Sequence, residues 1–212
     1  MNLAYTKSLA LSDYTDPALR PYCGLVGPER LAGQHPHRQW EYAMALRAWD
    51  RWRPIARPPM RTLDIGGAGS QFSLLLEGLE RNVSCNIIDP RVNTRLEDAA
   101  IPPGSIDGIF CLSVIEHVPD QLTFLAAAAA ALKPQGLLVL TTDCWNGTGP
   151  DTAHFHWMRE RIYTMAGWQA LAQTLATAHG LHLLDDADWR YHSDQLFGSY
   201  SFASLVLTKG AL

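Results

Sequence analysis

Beyond residue 60 the apolar positions fall into short blocks whose spacing switches between that of a strand and that of a helix. Residues 61–65, 83–89, 106–112, 137–142, 181–191 and 201–208 read as strands. Residues 70–79, 91–98, 119–132 and 165–179 read as helices, the third containing the alanine run 126–131. Strands that alternate with helices pair in parallel through right-handed crossovers and bury both faces of their sheet, so the pattern predicts a doubly wound α/β fold. Ligands of such folds lie outside the carboxyl ends of the strands, where the connection direction reverses.

Ahead of the first of these strands, Trp40, Ala43, Met44, Ala45, Leu46 and Trp49 recur at helical spacing with Arg38, Glu41, Arg47 and Asp50 between them. One amphipathic helix is expected there. A proline-rich stretch at 54–59 separates this leader, residues 1–60, from the main unit at 61–212, the two forming one structural unit.

Length and composition narrow the class. The 212 residues suit one compact domain, and with 47% hydrophobic and 18% charged residues the chain lies outside the compositional range of disorder. No uninterrupted apolar run approaches the roughly 18 residues of a spanning helix. The amino terminus lacks the basic, apolar and small-residue segments of a secretory signal, so a cytoplasmic protein is expected. Cys23, Cys85, Cys111 and Cys144 show no paired-thiolate spacing and read as reduced structural thiols. The formal net charge is −4, distributed unevenly: eight Lys and Arg against five Asp and Glu in the leader, nine against sixteen in the main unit. An acidic main unit gives no footprint for a nucleic-acid backbone.

The chemistry concentrates at strand ends. Leu63-Asp64-Ile65-Gly66-Gly67-Ala68-Gly69-Ser70 is a strand running through a glycine-rich turn into a helix. Glycines let backbone approach a ligand closely, and the free N–H groups of the following helix face it. Nicotinamide, flavin and sulfonium cofactors all use such a turn, so alone it does not choose among them. The next strand ends Asn86-Ile87-Ile88-Asp89-Pro90, placing a carboxylate where it can accept hydrogen bonds from both ribose hydroxyls of an adenosine.

In order across residues 61–143, LDIGGAGSQFS, NIIDP, IDGIFCLSVIEHVPD and LKPQGLLVLTTD resemble the successive motifs of class I (Rossmann-like) methyltransferases dependent on S-adenosylmethionine, of the small single-domain type. The resemblance implies a mostly parallel seven-stranded sheet with helices on both faces and an antiparallel last strand. It also implies cofactor-binding roles. Asp64 would orient the turn near the methionine amino group, and Gly66, Gly67 and Gly69 would line the methionine portion. Asp89 and Pro90 would hold the ribose, Asp98 and Ala99 would meet the adenine, and Leu112 and Ser113 would offer backbone to the ammonium. Where the family commonly has glycines, Ala68 and Ser70 stand here, so the turn is altered, with Ser70 able to start the helix as a cap.

Methyl transfer needs an acceptor held in line with the activated methyl group and shielded from water, and a base where the acceptor is a hydroxyl. His117, after Glu116, stands beside the expected methyl position, and Asp143 ends the strand 137–142; these two are the catalytic candidates. The local alternative for His117 is packing that starts the next helix. Quinone-type relatives carry another Glu three positions before Glu116 and use the group for a metal; Ser113 stands there, and no metal is expected. Residues 143–164 form a long connection, and long loops at a ligand-binding edge are commonly functional. Trp145, His154, His156, Arg161 and Tyr163 in it, with Trp40 and Tyr42 of a leader that folds over the cofactor as a lid, are the substrate-binding candidates.

The leading expectation is methyl transfer to an O, N or C nucleophile of a small molecule. A NAD-dependent oxidoreductase, or a protein that binds S-adenosylmethionine without catalysis, are the alternatives. The acceptor and the oligomeric state are not specified by any motif.

Overall fold

A computed structural model describes residues 3–27, 31, 34, 37–53, 58–145, 163–192 and 200–210. The strands are β1 (Lys7–Ser8), β2 (Met60–Ile65), β3 (Val83–Ile88), β4 (Ile106–Leu112), β5 (Leu132–Trp145), β6 (Tyr163–Thr164), β7 (Leu181–Leu183) and β8 (Ser201–Lys209). The helices are α1 (Arg20–Val26), α2 (Arg38–Trp52), α3 (Phe72–Leu79), α4 (Gln121–Ala131) and α5 (Met165–His179).

All eight strands join one sheet in the order β1-β8-β5-β4-β2-β3, with β6 on β5 and β7 on β8. The β3-β2-β4-β5 core is parallel, and β8 runs antiparallel to β5 from Leu137↔Thr208 to Cys144↔Ser201. Strands buried on both faces need apolar side chains on both, which is why β4, β5 and β8 read as near-continuous apolar runs. Alternate residues sort into two cores. Ile109, Cys111, Leu138, Leu140, Leu205 and Leu207 face α4 and α5 with Phe124 and Trp168. Phe110, Leu112, Leu137, Val139, Phe202 and Val206 face the other layer with Trp40, Met44, Trp49 and Phe72.

The leader helix α2 is therefore a structural layer rather than a surface element. Glu41 and Arg47, expected on its polar face, are buried with the apolar residues. Three further expectations are corrected. Residues 91–98 form turns, not a helix, because Asn93 ties the backbone locally: its Oδ1 accepts from Asp89 N at 2.8 Å and Thr94 N at 2.7 Å, and its Nδ2 donates to the Ile87 carbonyl at 2.7 Å. The strand expected over 181–191 stops at Leu183, because β1 occupies the rest of the β8 edge through Lys7↔Ser204 and Ser8↔Ala203. Among the described residues the sheet has eight strands rather than seven: the six read along the sequence are joined by the two-residue strands β1 and β6.

Candidate functional site

The carboxyl ends of β2, β3 and β4 open into a cleft with two lobes. One, of 510 Å³, is lined by Gly66, Asp89, Arg91, Leu96, His117 and Phe124 among others; the second, of 250 Å³, by Tyr42, Asp64, Gly69, Ser70 and Leu112. Arg38, Ile65, Gly66 and Arg91 line both. The cleft lies at the switch point of the sheet, since β2 is flanked by β3 on one side and β4 on the other.

The turn after β2 is built to a close tolerance. Gly66 has φ +72°, its N–H donates to the Ile88 carbonyl at 2.7 Å, and a Cβ there would stand 2.4 Å from Val114 Cγ2. A Cβ on Gly67 would stand 2.7 Å from the Asp64 carboxyl carbon. Tyr42 pins the far side of the turn, its hydroxyl 3.0 Å from Ser70 Oγ. Ser70 Oγ in turn accepts from Phe72 N at 3.0 Å, but Gln71, not Ser70, occupies the cap position of α3, which carries no side-chain cap bond.

Two carboxylates flank the turn, and their pKa values are shifted in opposite directions. Burial pushes Asp64 up to about 7, with the charge of Asp89 adding to it against the Ser70 hydroxyl, the Ser73 N–H and Arg38. Asp64 Oδ2 is buried without a hydrogen-bond partner among the described residues. Asp89 is held down at about 2, chiefly by the Arg91 side chain, with the N–H groups of Arg91 and Ala68 assisting against desolvation. An orphaned acceptor beside backbone stripped of side chains is where a cationic ligand group fits.

The leader closes the cleft at the β4 side. Arg38 Nη1 donates to the Leu112 carbonyl at 2.7 Å and to Glu41 Oε2 at 3.2 Å. Glu41 is wholly buried; its Oε1 accepts from the hydroxyls of Ser113 and Thr141, and His37 Nε2 lies 3.2 Å from its Oε2. Burial alone would raise its pKa, but Arg38, His37 and the Ser113 bond bring it down to about 2. Ser113, at the cleft wall, takes a left-handed φ of +48°.

Of the sequence-predicted cofactor residues, the structure brings Asp64, Gly66, Gly69, Asp89, Pro90, Leu112 and Ser113 to the cleft. Gly67 packs on Asp64. Leu96 and Glu97 line the larger lobe; Asp98 and Ala99 are not among its lining residues, Asp98 being exposed and Ala99 packed on the core. His117 lines the larger lobe. Asp143 is buried at the end of β5, its carboxyl pushed up to about 7 by burial and by Glu41, against Arg38. Glu116 lies buried near it and is raised too, by burial and then by Asp143.

The substrate candidates divide. Trp40 is buried in the second core, where its indole N–H donates to Asp13 Oδ2 at 2.9 Å, so it packs instead of covering a ligand. Tyr42 reaches the smaller lobe. Tyr163 packs on Trp168 at 4.6 Å between ring centres and donates to Gln121. Trp145 ends β5, half-buried. His154, His156 and Arg161 lie outside the described residues. Among the described residues, no group of three His, Cys, Asp or Glu side chains is arranged to hold a metal ion, and no helix is long and apolar enough to cross a membrane. Sequence reasoning missed Glu41 and Arg91 as site residues; a charged pair at i, i+3 such as Arg38 and Glu41 has the signature of a solvated helix face.

A parallel sheet with a reversed last strand and an acid-flanked glycine turn at its switch point defines a Rossmann-like cofactor-binding α/β protein. More particularly, residues 37–202 match the model of a methyltransferase-domain family, and the chain belongs to that family. It is 34% identical over 110 residues to the ubiquinone biosynthesis O-methyltransferase of Xanthomonas campestris pv. campestris (strain B100), covering 42% of this chain and 45% of that protein. The chain thus matches less than half the length of this curated relative. Its fold is shared with phosphoethanolamine N-methyltransferase 2 of Haemonchus contortus in complex with S-adenosyl-L-methionine, at TM-score 0.62 and 11% identity over 96% of this chain and 60% of that one. A SAM-dependent methyltransferase from Aquifex aeolicus matches at TM-score 0.53 and 14% identity, over 86% of this chain and 98% of that one.

Proposed function

We propose that this chain transfers a methyl group from S-adenosylmethionine to an O, N or C nucleophile of a small molecule. The observation that carries the reading is the buried, unpartnered Asp64 Oδ2 beside Gly66 and Gly67, with Asp89 on the neighbouring strand end. Such a set of acceptors suits a ligand that is cationic at one end and carries ribose hydroxyls at the other.

In this reading Asp64 holds the methionine ammonium together with backbone at Leu112 and Ser113, and Arg38 meets the methionine carboxylate. Asp89 accepts the ribose hydroxyls, and Leu96, Val118 and Phe124 of the larger lobe form the apolar bed of the adenine. When bound, the sulfonium supplies an activated methyl group. The protein's part is to orient the acceptor and exclude water. His117 on the cleft wall is the candidate general base, and Asp143 the second; a base near neutrality is needed where the acceptor loses a hydroxyl proton. The Xanthomonas relative, named for O-methylation in ubiquinone biosynthesis, supports a hydroxyl acceptor. The four unpaired cysteines support a reducing compartment, and the reading places the protein in the cytoplasm.

Titration calorimetry with S-adenosylhomocysteine and, separately, NADH tests the cofactor. Binding of the first alone is expected; binding of NADH in its place would give the oxidoreductase reading. Labelled S-adenosylmethionine incubated with a metabolite extract should then yield a labelled product, and a saturable complex that never does so would leave a binding protein.

A further inference from the structure

We propose that Glu41 is a positioning residue for the cofactor's amino-acid end: from the leader helix, where it also bonds Ser113, it orients Arg38 at the β4 side of the cleft. The inference rests on the methyltransferase reading and deepens it.

The geometry is that of a clasp. Glu41 Oε2 faces Arg38 Nη1 and His37 Nε2, each at 3.2 Å, while Oε1 takes the hydroxyls of Ser113 and Thr141. One carboxylate thereby joins α2 to β4 and β5. Thr141 also anchors the same wall, its Oγ1 accepting from Ser113 N at 2.9 Å. A non-glycine residue in the left-handed region persists only where its surroundings hold it, and the Ser113 hydroxyl ends on Glu41. Arg38 uses Nη1 for Glu41 and the Leu112 carbonyl; its Nε and Nη2 make no protein hydrogen bond among the described residues, and the side chain lines both lobes. A guanidinium gripped on one nitrogen and open on the others is prepared for a bidentate carboxylate.

A buried carboxylate is costly, and a purely structural position would be served as well by an apolar side chain. What the charge adds is a fixed orientation for Arg38. Loss of Glu41 should therefore be felt by ligands that carry a carboxylate, and not by those that lack one.

The test is calorimetry of the full chain with S-adenosylhomocysteine and with 5′-methylthioadenosine, which lacks the amino-acid group. Glu41→Gln should weaken S-adenosylhomocysteine at least tenfold and leave 5′-methylthioadenosine within twofold. Equal losses for both ligands, or no loss for either, overturn the proposal. Because Glu41→Gln leaves the half-buried Arg38 guanidinium without its counter-charge and can destabilise the chain, the double variant Arg38→Met/Glu41→Gln is compared with Arg38→Met alone. Equal S-adenosylhomocysteine affinities support action through Arg38, and a further tenfold drop in the double variant refutes it. Wild-type protein that binds neither ligand overturns the methyltransferase reading itself, and this inference with it.

Discussion

The Arg91 guanidinium lies on the Asp89 carboxylate, Nη2 2.6 Å from Oδ2, and the same nitrogen donates to the Ala68 carbonyl at 2.8 Å. With Arg91 N on Oδ1 and Ala68 N on Oδ2, the acceptor sites that a ribose would need are filled by protein. The Arg91 side chain is 69% exposed, so it can leave into water, and its ion pair is screened.

The first prediction is a contrast between these partners. Arg91→Ala removes a competitor worth about 1 kcal/mol and should tighten S-adenosylhomocysteine about two- to fivefold. Asp89→Ala removes the acceptor and should weaken it more than about tenfold, the scale of a charge-assisted hydrogen-bond pair. Calorimetry on both variants checks this, and weaker binding by Arg91→Ala would make Arg91 a ligand contact.

Trp40 offers a separation of packing from binding. Trp40→Phe keeps most of the buried ring but removes the indole donor to Asp13, which still accepts from Lys7 and from Ala10 N at 3.0 Å. The expected cost is about 1–3 kcal/mol, or roughly 2–4 °C of melting temperature for each kcal/mol. S-adenosylhomocysteine affinity should stay within twofold. A lid residue would show the reverse, an unchanged melting temperature and a lost ligand.

These outcomes bear on what the amino-acid order reveals. β4 matches its expected bounds, Ile106–Leu112, because a strand covered on both faces must be apolar throughout. α5, Met165–His179, matches too, closed by Gly180 at φ +64°. β1 was illegible: Lys7 and Ser8 are polar, and they become a strand only because β8 offers an edge almost two hundred residues away. The acidic strand ends Asp64 and Asp89 could be found by position. Glu41 could not, since only the packing of α2 on the sheet shows that this side of the helix is dry. Arg91 carries no motif, and its contact with Asp89 follows from a turn that Asn93 holds in place of a helix.

Gly66 tests the turn. An alanine there meets both an unfavourable φ and a Cβ 2.4 Å from Val114 Cγ2, whereas at Gly69, at φ +86°, a Cβ would have nothing within 4 Å among the described residues. Gly69→Ala should cost about 1–2 kcal/mol from backbone conformation alone. Gly66→Ala should cost a further 1–3 kcal/mol or so from overpacking, and should abolish measurable S-adenosylhomocysteine binding. Adding Val114→Ala should restore part of the lost stability, measured by chemical denaturation. Equal effects at the two glycines would show that the clash with Val114 is relieved without cost.

The last prediction concerns pH and follows from Asp64. Its pKa is raised to about 7 in the folded chain by burial, from an ordinary 3.8. A folded state that keeps a proton the unfolded chain has lost is favoured at low pH, so this group's contribution declines as pH rises from about 4 to about 7 and is constant beyond. Asp64→Asn, which removes the titration, should raise the melting temperature at pH 8 relative to wild type and by less at pH 4.5. Ligand binding moves in the opposite sense. A cationic ammonium set against Asp64 favours its ionised form, so below pH 7 binding must expel a proton, and affinity should increase with pH between about 5 and 7. Calorimetry of S-adenosylhomocysteine at pH 6 in two buffers of different ionisation enthalpy reads the expelled proton directly. Asp143 and Glu116 are raised as well, so the control is Asp64→Asn, in which most of the release should vanish. A buffer-independent binding heat at pH 6 in the wild-type protein would show that no carboxyl ionises against the ammonium, and would remove the ion pair assigned to Asp64.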